Sequence, residues 1–96
     1  MTTESSVNEQ REAYFRGMVQ GVGFRYTTRR IAARYEVTGF VENLPDGRVL
    51  LVAEGSSAEL DRLINAVRAE MESYIDDIEI NSRPATGQYQ GFDIRY

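Results

Sequence analysis

Between Gly17 and Tyr26 the chain reads GMVQGVGFRY: three glycines, Gly17, Gly21 and Gly23, and then Phe24 and Arg25. A backbone rich in glycine can curl until successive N–H groups converge on one point, and such a nest binds anions. If a helix starts there, its unpaired N–H groups and partial positive charge reinforce the site. Arg25 adds a planar guanidinium able to grip two phosphate or carboxylate oxygens at once. A plain glycine turn followed by a solvated arginine accounts equally well for the spacing alone. Asn43, in VENLPDG, is a second polar residue of interest. Ahead of a Leu-Pro-Asp-Gly turn, an asparagine most commonly caps loop amides.

What is missing narrows the chemistry. The 96 residues include no cysteine and no histidine, so there is no thiolate nucleophile and no imidazole to act as base or metal ligand. The acidic run Asp76, Asp77 and Glu79 has no companion ligands elsewhere and reads as a solvated strand edge. No metal or cofactor is expected. The net charge of -4 argues against a general nucleic-acid binder. Its distribution is uneven: Arg11 to Tyr35 holds six arginines and one acid, Glu12, so the rest of the chain sums to -9. One basic region in an acidic protein suits a small anionic ligand better than a long polyanion. No apolar run approaches the roughly 20 residues of a membrane span, and no signal-peptide pattern opens the chain, so no membrane association and a cytoplasmic location are expected.

Met1 to Gln10 is polar and reads as a disordered tail, leaving 11–96 as one domain. Ala13 to Val19 reads as a first strand, with the glycine loop after it. Phe24, Thr28, Ile31 and Tyr35 recur at helical spacing, which leaves Arg29, Arg30 and Arg34 in solvent. Val37 to Leu44 is a strand with Val37, Gly39, Val41 and Asn43 on one face. Pro45, Asp46 and Gly47 turn the chain back into Arg48 to Glu54. Ser56 with Glu59 forms a capping box for a helix whose stripe is Leu60, Leu63, Ile64, Val67 and Met71. Ile75 to Ser82 and Phe92 to Tyr96 are the last strands. The order β-α-β-β-α-β predicts a split β-α-β sandwich, with two helices on one face of an antiparallel sheet.

VQGVGFR, from Val19 to Arg25, resembles the signature of the acylphosphatases, and TGFVENLPDGRV (38–49) and GFDIRY (91–96) are similar to further blocks of that family. The resemblance covers nearly all of the chain beyond residue 12. It implies a ferredoxin-like α+β fold and a cofactor-free hydrolase that converts small acyl phosphates to carboxylate and phosphate, with inorganic phosphate or sulfate as inhibitor. It puts the phosphate-binding loop on Gln20, Gly21, Val22, Gly23 and Phe24, the catalytic arginine on Arg25, and the water-orienting asparagine on Asn43. Thr28 falls on a supporting position, bonded either to the Asn43 region or back to its own helix. The chain departs from the family pattern at Phe40, Glu42 and Met18, and the last two bear on affinity for anions.

That activity needs none of the missing groups. The expelled carboxylate is the conjugate base of an acid of pKa about 4, so it leaves without a proton. Water attack through a loose transition state depends chiefly on positioning and charge. A monomer is expected. The main alternative is a non-enzymatic or specialised module on the same fold that binds phosphate or carbamoyl phosphate, similar to the carbamoyl-phosphate-handling domain of hydrogenase maturation factors. An RNA-binding sheet lacks the required basic-aromatic pattern.

Overall fold

The computed structural model describes residues 8–96. Its elements are β1 (Glu9–Gly17), α1 (Phe24–Ala32), β2 (Thr38–Asn43), β3 (Val49–Gly55), α2 (Ser57–Glu70), β4 (Ile75–Pro84) and β5 (Phe92–Arg95), with a short 3-10 turn, Glu72–Tyr74, before β4. The strands form one sheet in the order β4-β1-β3-β2-β5. Both helices lie on one face, where Phe24, Ile31, Leu60, Leu63, Ile64 and Val67 meet Ala13, Phe15, Val41, Leu51 and Ala53 of the strands. This is the ferredoxin-like α+β sandwich. Among the described residues, no helix is long and apolar enough to cross a membrane.

Several expectations need correction. The sheet is mixed: β5 runs parallel to β2, while every other pairing is antiparallel. The single reversal after β4 sends β5 in the direction of β2. The first strand starts at Glu9 rather than Ala13 and ends at Gly17, so Glu9 and Gln10 are not part of a tail; Asn8 precedes the strand and is exposed, and 1–7 lie outside the described residues. β1 is interior, flanked by β3 and β4, and its polar residues find cross-strand partners, as Gln10 does with Glu54 and Glu12 with Arg83. Those partners disguise the alternation. At α2, Ser56 Oγ accepts from the N–H of Glu59 at 3.2 Å, but the Glu59 carboxylate does not return the bond. It accepts instead from the N–H of Glu36 at 2.8 Å and from Arg62 at 2.6 Å, so only half of the capping box forms.

The last connection is the most constrained. β4 and β5 occupy opposite edges, four strand spacings apart, or about 19 Å. The chain has only 85–91 to make that crossing, a reach of about 25 Å when fully extended. It therefore runs as a taut strap over the face without helices. Glu54 of β3 pins it midway. One carboxylate oxygen accepts from Gln10 Nε2, Thr86 N and Thr86 Oγ1, each at 2.8 Å, and the other accepts from Gly87 N at 2.9 Å. Phe40 is buried on this face beneath Tyr89 and Arg95, the Arg95 guanidinium lying 3.6 Å from its ring centroid.

Burial alone would raise the Glu54 pKa, but the hydrogen bonds from Thr86, Gln10 and Gly87 outweigh it and hold the carboxyl below its ordinary value of 4.5. The stabilisation is therefore complete above that value and is lost as pH falls through the lower folded-state pKa. Glu54→Gln keeps the shape and removes the charge, and should cost roughly 1–3 kcal/mol at neutral pH. Urea denaturation of both proteins should show that gap shrinking below about pH 4. A gap of equal size in acid would mean that the charge is not what holds the strap.

Candidate active site

The glycine loop leaves β1 and enters α1 with its apolar side chains turned inward. Val19 and Phe24 are buried, the Phe24 ring lies 4.9 Å from that of Phe15, and Val22 packs against the same core. The backbone is left facing outward. Gly21 has φ 79° and Gly23 has φ 78°, both left-handed, and a Cβ at either would meet nothing within 4 Å. The requirement for glycine is thus conformational and not a matter of space. Gly23 is the N-cap of α1, and the first helical bond runs from Thr27 N to Gly23 O at 2.9 Å. The N–H groups of Phe24, Arg25 and Tyr26 therefore have no partner within the helix. Among the described residues, none of the N–H groups from Gln20 to Gly23 donates to a protein acceptor either.

Gln20 contributes through its side chain in another way. Its Nε2 donates to the carbonyls of Leu44 at 2.8 Å and Arg48 at 3.0 Å, tying the loop to the β2–β3 hairpin. That hairpin carries Asn43 as the last residue of β2. The cap role open to Asn43 is not realised. The turn is closed by Leu44 N to Arg48 O and Gly47 N to Leu44 O, and Asp46 Oδ1 accepts from Arg48 N. The bonds from the Arg48 N–H and then its guanidinium hold the Asp46 carboxyl below its usual range. Asn43 shares the helix-side face with Val41, and its Oδ1 is buried without a partner among the described residues.

Arg25 projects from the first turn of α1 toward β5. Its Nη1 donates to the carbonyl of Arg95 at 3.2 Å, and its guanidinium carbon lies 4.8 Å from the Tyr96 ring centroid. Gly21, Gly23, Arg25, Asn43, Ile94 and Tyr96 line one cleft of about 210 Å³. The structure thus brings Arg25, Asn43 and the loop together. Thr28 is fully buried, but its Oγ1 has no hydrogen-bond partner among the described residues, so neither bond considered for it is present. Met18 and Glu42 do not line the cleft; Met18 is exposed, and Glu42 sits on the opposite face of β2 from Asn43.

Sequence reasoning missed the cleft wall contributed by Ile94 and Tyr96, which comes from a strand remote in sequence. It also left Arg29 in bulk solvent, although Arg29 lines the cleft one helical turn beyond Arg25. The spacing of four was the available signal. No aspartate or glutamate lines the cleft. A site edged by guanidinium groups and unpaired N–H groups, with no acid, is built for an anion.

A family model described as Acylphosphatase matches residues 11–94. The acylphosphatase of Archaeoglobus fulgidus is 40% identical over 86 residues, covering 88% of this chain and 96% of that protein. Among solved structures, the acylphosphatase from Bacillus subtilis superposes with a TM-score of 0.82 at 31% identity, covering 92% of this chain and 99% of the other. Full-length HypF in its phosphate- and nucleotide-bound form matches with a TM-score of 0.81 at 26% identity, but the matched region is 13% of that chain. The alternative of a specialised binding module gains no support from these likenesses.

The glycine loop makes a direct prediction. Gly23→Val should force a β-branched residue into the left-handed region, at a cost on the order of 1–3 kcal/mol. Because its Cβ meets no neighbour, the backbone can relax by leaving φ 78°. Phosphate affinity should then fall more than thermal stability. A phosphate titration together with a melting curve checks this, and unchanged affinity in a folded variant would count against the nest.

Proposed function

The chain belongs to the acylphosphatase family, and on that premise we propose that its cleft beside the glycine loop is where catalysis occurs, with Arg25 and Asn43 as the catalytic residues. The protein is an enzyme that hydrolyses small acyl phosphates to carboxylate and phosphate. The observation that carries the assignment is the convergence of Arg25 with the unpartnered Asn43 Oδ1 in one cleft free of acids.

In this reading the phosphoryl oxygens rest on the N–H groups of Gln20, Gly21, Val22, Gly23 and Phe24, and the Arg25 guanidinium grips two of them. A buried acceptor requires a donor, and Asn43 Oδ1 finds one in an O–H of the attacking water. The water oxygen then forms a bond to phosphorus as the bond from phosphorus to the acyl oxygen breaks. That oxygen departs with the electron pair as carboxylate, and the water's proton passes to a phosphate oxygen. Because the transition state is loose, fixed charge and alignment supply the catalysis.

The reading extends to a monomer. The same reading takes the cytoplasm as its place of action. Product phosphate, or sulfate, should compete with substrate.

Turnover of benzoyl phosphate by the purified protein tests the whole reading. Arg25→Ala should weaken phosphate inhibition and cut kcat by about 10³-fold or more, with little rescue by lysine, whose point charge cannot make a two-pronged contact. Asn43→Ala should lower kcat by roughly 10²–10³-fold while leaving phosphate inhibition nearly unchanged. Equal losses of phosphate affinity in the two variants would overturn this division of roles.

A further inference from the structure

The loop and Arg25 read the phosphoryl group and leave the acyl group unread. Next to the catalytic cleft lies a second one of about 480 Å³, between α1 and the start of β5, walled by Tyr26, Arg29, Arg30, Tyr35, Val37 and Phe92. The two clefts meet, since Tyr26 and Arg29 line both. No aspartate or glutamate lines the second cleft either, in a chain with 15 acids against 11 basic residues. Arg30 is paired with Glu70 at 3.4 Å. Among the described residues, Arg29 has no carboxylate within ion-pair distance, and only the Tyr26 ring, 5.8 Å away, faces its guanidinium.

We propose that Arg29 is a specificity-determining residue that binds a carboxylate at the far end of the acyl group, so that the preferred substrates are acyl phosphates of short dicarboxylic acids. This rests on the phosphate site assigned above. Residues four apart on a helix are separated by about 6 Å along its axis and share a face. With the phosphoryl group on Arg25, an acyl chain with two methylenes reaches Arg29 with its terminal carboxylate. Tyr26, Tyr35 and Phe92 offer apolar walls to the methylenes. An acetyl group carries no second charge to offer Arg29. The guanidinium suits the planar carboxylate through paired N–H donors.

The measurement is the ratio of kcat/KM for succinyl phosphate to that for acetyl phosphate. The wild-type ratio should exceed one and fall as salt is added, because the contact is open to solvent. Arg29→Gln should lower the ratio about five-fold, as expected for one exposed charge contact. Arg29→Glu should lower it further, and Arg29→Lys should keep part of it. Arg34→Gln, an exposed arginine lining neither cleft, should leave the ratio unchanged. If Arg29 serves only the helix or the Tyr26 ring, both substrates will suffer equally and the ratio will hold. That result, with acetyl phosphate still hydrolysed, overturns this inference alone. Failure of the wild type to hydrolyse either compound overturns the reading of the site itself.

Discussion

The structure depends on where β5 is held. A strand added beside β2 must be reached from β4 at the far edge, and the only route is the short strap across the open face. A strap this short has no packed interior of its own, so its position relies on a few polar anchors. Glu54 is the principal one, a nearly buried carboxylate satisfied by four donors. Without those donors its burial would be strongly unfavourable; with them it fixes the strap where the chain has least freedom. The last strap residue is then set by Gly39 N donating to Gly91 O at 2.8 Å, and the ladder with β2 begins.

From that anchor the consequences reach the opposite end of the sheet. β5 runs alongside β2 and delivers the Arg95 carbonyl to Arg25 and the Tyr96 ring to its guanidinium. Arg25 stems from a helix whose first turn is set by the glycine loop, and Gln20 braces that loop against the hairpin that bears Asn43. Three segments distant in sequence thus converge on one cleft, held by sheet pairing and by side-chain donors bonded to backbone carbonyls. Catalysis by positioning requires such stiffness, because small misplacements of aligned groups are costly.

The chemistry also explains the charge pattern. An acidic protein repels anions unless a region is cleared of carboxylates, and here both clefts along α1 are free of them. Among the acids outside them are Asp76, Asp77 and Glu79 on the exposed edge strand β4, and Asp61, Glu59 and Glu12 in ion pairs with arginines that line neither cleft. In the proposed mechanism, fixed guanidinium groups and backbone dipoles act without a titrating base.

Where short-range rules apply, the sequence was sufficient. Helix stripes repeat at three and four and strand faces at two, so the α2 core residues and the face shared by Val41 and Asn43 were legible, whereas the left-handed φ of Gly21 and Gly23 became visible only in the folded loop. The resemblance of VQGVGFR and TGFVENLPDGRV to a known family supplied the candidate residues and their roles. Partners far along the chain were not legible. Glu54 meets Thr86 across 32 positions and Arg25 meets the Arg95 carbonyl across 70, and no local period encodes either. For the same reason the parallel placement of β5, the start of β1 at Glu9, the diversion of Glu59 to the N–H of Glu36, and the unpartnered oxygens of Thr28 and Asn43 emerged only in the folded chain. Sequence pattern determines which face a residue takes on its own element; which element that face then meets depends on chain reach and on the competition among distant donors and acceptors, and those are properties of the tertiary structure.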